Sequence, residues 1–169
     1  MARWQESVIT NTGISMLGEV LNGGELVISS AMLGNGTVDT AALMGQTAVS
    51  YPLEISALIS HSQLISGLGV QIQLQIRNSG ISTAQVMKQV GIFAKVGDGE
   101  ERLFAIMQNS AGEEIPSESD YPDFMLEFTS VISVSNAAVE QIVVQISSSA
   151  VITRADLNEA LNDYVKSED

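Results

Sequence analysis

The chain has no cysteine, one histidine, three prolines and only seven lysines and arginines in 169 residues. Without cysteine there are no disulfides and no thiolate metal sites, and folding in a reducing cytosol is allowed. Twenty acidic residues against seven basic ones give a net charge of −13. Arg3, Arg77, Lys88, Lys95, Arg102, Arg154 and Lys166 are scattered and form no run. Nucleic-acid binding requires clustered cations to displace counterions from phosphates, so DNA and RNA are excluded as partners on electrostatic grounds. Anionic membranes are disfavoured for the same reason. No apolar run reaches the ~20 residues that span a bilayer, so no membrane insertion is expected. The N-terminal MARWQESVIT lacks the apolar stretch of a secretory signal.

Catalytic chemistry is equally scarce. His61, the lone histidine, lies in a serine-rich segment. A Ser–His pair there lacks an orienting third group and a nucleophile elbow, which favours a structural histidine over a hydrolase. Gly34-Asn35-Gly36 lacks the lysine and further glycines of a phosphate loop and reads as a β-turn. Glu113, Glu114, Glu118, Asp120 and Asp123 fall in one expected loop, Asn109 to Asp123. Their spacing matches no EF-hand, and Pro116 and Pro122 interrupt it, so a solvated loop is the simpler reading. No cofactor is expected.

What the chain does have is alternation. In Gln85 to Val96, Val86, Lys88, Val90, Ile92, Ala94 and Val96 share one strand face, while Met87, Gln89, Gly91, Phe93 and Lys95 share the other. Asp98-Gly99 then suggests a type I′ hairpin turn into Arg102–Met107. Gly69 to Arg77 alternates cleanly, with Val70, Ile72, Leu74 and Ile76 opposite Gln71, Gln73, Gln75 and Arg77. Phe124 to Val134 is a further strand, with Val139 to Ser147 expected as its antiparallel partner. Thr12 is placed to cap a helix carrying Ile14, Leu17 and Leu21 and ending at Gly23-Gly24. Near the other end, Thr153 and Asp156 resemble a capping box, and Leu157, Ala160, Leu161, Tyr164 and Val165 form a stripe at helical spacing.

Together these elements predict a mainly β fold with peripheral helices (α+β). It would be an antiparallel sheet or sandwich with a short N-terminal helix and a C-terminal amphipathic helix. Residues 1–150 form the β-rich domain and residues 151–169 the terminal helix. Strand faces bearing Gln71, Gln73, Gln75, Gln141 and Gln145 carry little charge. Such a face suits burial against another subunit, because interface cores are depleted of charge; a plain exposed face fits equally well. Trp4 either anchors an N-terminal arm in a neighbour, packs within its own chain, or sits in a disordered terminus. Gly91, inside a strand with Phe93, suggests close approach of another backbone or ring.

The order of several motifs resembles the N-terminal domain of phage tail-collar fibre proteins. Thr10 to Gly13 precedes a helix. The strand Leu26–Met32 leads into Gly34-Asn35-Gly36, and Gln46-Thr47-Ala48-Val49 follows. Val90-Gly91-Ile92-Phe93-Ala94 pairs by hairpin with Phe104-Ala105-Ile106, and Phe128–Val134 and Ile142–Ser147 close the domain. The chain departs from the family at Lys88-Gln89, where Arg-Glu is frequent, and at Asn35, where Asp is frequent. The resemblance implies a non-enzymatic virion protein, assembled in the bacterial cytoplasm, that fastens a receptor-binding fibre to the baseplate of a contractile tail or tail-like bacteriocin particle. It also implies a homotrimer, with baseplate proteins and a distal fibre chain as partners. Leu157, Leu161 and Tyr164 would then start a fibre shaft by associating with their copies; folding back on the chain's own sheet is the other reading. Because family members continue into a shaft and tip, a chain ending at Asp169 is expected to be either a shortened fibre or an adapter for a separate one. The competing functional class is a carbohydrate- or receptor-binding β-module, which would display an exposed aromatic platform.

Overall fold

A computed structural model describes residues 4, 6–55, 57–65, 69–134 and 142–147. Two sheets pack face to face. The larger contains β1 (Val8–Ile9), β2 (Leu26–Gly34), β5 (Gln85–Val96), β6 (Arg102–Ile115) and β8 (Ile142–Val144), in the order β1-β6-β5-β2-β8. The smaller contains β3 (Ala57–Ile65), β4 (Gly69–Arg77) and β7 (Met125–Ser133), in the order β3-β4-β7. All pairings are antiparallel except β2 with β8. The mainly β, α+β class expected from the alternation is the one found. Ile28, Val90, Ile92 and Phe104 of the large sheet share one buried cluster with Ile59, Ile72, Leu74 and Ile76 of the small one. Period-two patterning places these residues on facing surfaces, and their burial drives the sheets together.

Several local expectations are corrected. The helix α1 spans Asn11–Leu21 and is capped by Thr10, not Thr12. The Thr10 hydroxyl accepts the Gly13 N–H at 2.9 Å and donates to the Leu103 carbonyl at 2.7 Å, so the cap also ties the helix to β6. A Cβ at Gly13 would collide with the Phe104 carbonyl, so glycine sets how closely the helix lies on the strand. That approach turns Gly13, Met16 and Val20 inward. The stripe visible in the sequence faces away: Ile14 is 51% and Leu21 56% exposed, and Leu17 is half-buried at the border.

The β5–β6 turn is not type I′. Gly99 N–H bonds the Val96 carbonyl at 3.0 Å, and Gly97 carries the positive φ of +56° at the first central position. That is the glycine position of a type II′ turn. Along β5 the simple alternation also breaks, because the ladder shifts between Met87 and Gln89. Met87 thereby joins Val90, Ile92 and Ala94 in the main core, while Phe93 packs with Leu43, Leu103 and Ile106 on the other face.

Strand β6 runs on to Ile115, so Asn109–Ile115 is strand and not loop. Ile142–Val144 does not partner β7. It pairs in parallel with β2, Leu26 opposite Ile142, while β7 pairs with β4 along its whole length. Gly34-Asn35-Gly36 does not close a turn on itself: the chain bends at Asn35, and Asn35 and Gly36 donate to the Tyr51 and Ser50 carbonyls at 2.9 and 3.0 Å. The C-terminal helix expected over 151–169, with Leu157, Leu161 and Tyr164, lies outside the described residues, as does Gln141.

Both open sides of the sandwich are stitched by segments near the chain ends. On one side Ser147 N–H donates to the Ile59 carbonyl at 2.8 Å, and Gln145 N–H to Ile28 at 2.8 Å, linking β8 to both sheets. On the other, the Ser7 hydroxyl donates to the Val131 carbonyl of β7 at 2.6 Å while Val8–Ile9 pair with β6.

Candidate functional site

Residues distant in sequence meet where a long connection crosses the large sheet. Residues 35–55 leave β2, form a 3₁₀ helix at Thr40–Gly45 and return past β5. Three glutamines hold this connection down. Gln89 of β5 is fully buried; its amide donates to Gln108 Oε1 at 2.8 Å and to Gln46 Oε1 at 3.0 Å. Its Oε1 accepts the Ser50 N–H at 2.8 Å and the Gln46 amide at 3.2 Å. Gln108 of β6 in turn donates to the Val38 carbonyl at 2.8 Å and accepts the Val38 N–H at 2.9 Å. An uncharged amide offers two donors and an acceptor with two lone pairs, which lets Gln89 be buried with its hydrogen bonds made.

Beside this network, Gly91 is where the connection touches the sheet. A Cβ at Gly91 would lie 2.7 Å from Val49 Cγ1 and 2.9 Å from Leu103 Cδ1. A close approach does occur at Gly91, but its nearest groups are aliphatic side chains of the same chain and not the backbone or ring expected. Asn35 completes the attachment by donating its side-chain amide to the Val86 carbonyl at 2.7 Å.

The other singled-out residues are placed as follows. Trp4 is engaged within its own chain, not held out as a free anchor. Its indole N–H donates to Glu113 Oε1 at 2.7 Å, and its ring meets Phe128 edge-on with centroids 5.1 Å apart. It walls a cleft of about 350 Å³ with Glu6, Ser7, Met107, Phe128 and Val131. Gln71 and Gln73 are partly exposed on the outer face of the small sheet, opposite Val131 and Thr129 of β7. Gln75 departs from the expected outer face: it is 0% exposed and accepts from Arg77 Nη2 at 3.3 Å. A side chain already covered by its own strand neighbours has no surface left for a partner. Phe93 is half-buried against Leu43, Leu103 and Ile106.

The carboxylates do not converge. Glu113 is taken up by Trp4 and Glu118 accepts from the Gly80 N–H at 3.2 Å. Among the described residues, no group of three or more His, Asp or Glu side chains is placed to hold a metal ion. His61 is half-buried on β3 opposite Gln73. Tyr51 and Tyr121 are exposed, one in the connection before β3 and one between β6 and β7.

No family model, curated protein or solved structure matches this chain. Among the described residues, no helix is long and apolar enough to cross a membrane.

Proposed function

We propose that this chain is a structural attachment module of a contractile tail. In this reading it is the baseplate-side domain of a tail fibre, or an adapter for one, works as a homotrimer, and acts through protein–protein contacts without catalysis. One observation supports the reading above the rest. The motifs that carry the resemblance are each short and apolar, yet they meet in space: Thr10 and Gly13 on Phe104, Gly36 on Ser50, and Val49 on Gly91. Residues that fit one another are parts of one fold, which supports reading the ordered motifs together.

Immunogold labelling of purified contractile-tail particles tests this. Label at the junction of baseplate and fibre is expected. Particles that carry no label, or label spread along the sheath, would overturn the assignment.

A further inference from the structure

Among the described residues, β1, β8, β3 and β7 form the sheet edges, and β7 is built differently from the rest. β1 and β8 are two and three residues long. β3 is longer, but its ladder shifts between Ile59 and His61, and Ile59 exchanges hydrogen bonds with Ser147. β7 runs nine residues, Met125–Ser133, in unbroken register with β4. It has no lysine, no proline and no bulge, the devices by which edges normally refuse a new strand.

The outer row of β7 backbone groups is open. The Ile132 carbonyl lies against Gly69 of β4, whereas the Val131 carbonyl points the other way and accepts the Ser7 hydroxyl at 2.6 Å. Alternate residues of a regular strand direct their N–H and C=O groups to one side, so Glu127, Thr129, Val131 and Ser133 present theirs away from β4. Among the described residues, the Ser7 hydroxyl is the only group bonded to this row. Beside the row lies the cleft of about 350 Å³ that Trp4 walls, with Met107 and Phe128 as further apolar surface. It reaches along β7 from Phe128 to Ser133, about 16 Å of strand.

We infer that this edge takes up an extended segment of a different protein as an added antiparallel strand, displacing the Ser7 hydroxyl from Val131. Backbone pairing of this kind supplies affinity, and alternate side chains supply selectivity. The slot describes those side chains. Every second residue of the segment meets Trp4, Met107 and Phe128 and is apolar. The residues between them lie level with Glu127, Thr129 and Ser133 on the exposed side and are polar, with a basic one opposite Glu127. Glu6 adds a second negative charge at the cleft. A second copy of β7 is the poorer occupant, because Met125–Ser133 carries Glu127 and no cation and so offers its twin no complementary charge. The inference goes beyond the tail reading and does not depend on it.

Trp4 is the only tryptophan and walls the cleft, so its fluorescence reports occupancy directly. The probe is the synthetic peptide acetyl-Thr-Val-Lys-Val-Thr-Val-Thr-amide, which should give a saturable change in Trp4 emission. A twin N-methylated at its threonines and lysine keeps the side chains but lacks the N–H groups that an antiparallel pair directs at β7, and should bind about tenfold more weakly or worse. Thr129→Pro in the protein should weaken the first peptide to a similar degree while leaving circular dichroism unchanged, because proline is tolerated where an edge N–H points off the sheet. No response to the first peptide, or equal responses to peptide and twin, would overturn the inference. So would a Trp4 change that grows with protein concentration before any peptide is added, which would mark a second copy as the occupant.

Discussion

Replacing Gln89 with leucine removes the centre of the clamp at nearly constant volume. Four hydrogen bonds end on this side chain: two donated, to Gln46 and Gln108, and two accepted, from Gln46 and the Ser50 N–H. The partners differ in what they lose. Gln46 is half-buried and can turn to water, and Gln108 Oε1 keeps the Val38 N–H. The Ser50 N–H, in contrast, loses its acceptor. A net bond is worth about 1 kcal/mol and a buried unsatisfied group costs about 1–3 kcal/mol, while leucine recovers part through apolar burial. The expected destabilisation is therefore about 2–4 kcal/mol. At about 2–4 °C per kcal/mol for a chain of this size, the melting temperature should fall by roughly 5–15 °C. Calorimetry measures the fall, and amide exchange should accelerate first at residues 46–52. Gln85→Leu is the control, because its half-exposed amide only donates to the Thr83 carbonyl at 3.1 Å. If Gln89→Leu melts with its parent, the network does not hold the connection and the packing account of the motifs fails.

Other substitutions should separate core from surface. Gly91→Val should cost about 3 kcal/mol or more through overpacking against Val49 and Leu103, and give insoluble or poorly folded protein; solubility and urea unfolding measure it. Gln71→Lys with Gln73→Lys should leave stability within about 0.5 kcal/mol and lower self-association, because both positions are partly exposed. Gln75→Lys should instead destabilise the domain by several kcal/mol, since it places a cation in a covered site beside Arg77; paired urea titrations distinguish the two outcomes. Deletion of residues 153–169 should keep the β-signature in circular dichroism and weaken self-association, read by sedimentation.

Alternation made the sheets legible. In β4 every apolar position read from the sequence is buried, and in β7 Phe128 and Ile132 face the core as expected. The errors have physical causes. Gln75 lay on the polar side of a correctly phased strand, but phase alone does not report whether neighbouring side chains cover a residue. Met87 changed faces because a ladder shift is invisible to a period-two count. On α1 the more obvious apolar stripe pointed outward, since contact with Phe104 selected the face bearing Gly13. The partner of Ile142–Val144 was misassigned because pairing between distant strands leaves no local trace, and a parallel edge pair in an antiparallel sheet is seldom anticipated. The buried role of Gln89 and Gln108 was missed, since polar residues in strands usually mark the solvent side. The weak signal available was their position at the border of apolar runs, Gln89 before Val90–Ala94 and Gln108 after Leu103–Met107.

The account stands on the claim that the chain joins fibre to baseplate. Electron microscopy of contractile-tail particles assembled without it tests that claim most directly. The prediction is normal sheaths, tubes and baseplates that lack fibres, with fibres restored when the chain is supplied in trans. Fully fibred particles in its absence would contradict the claim.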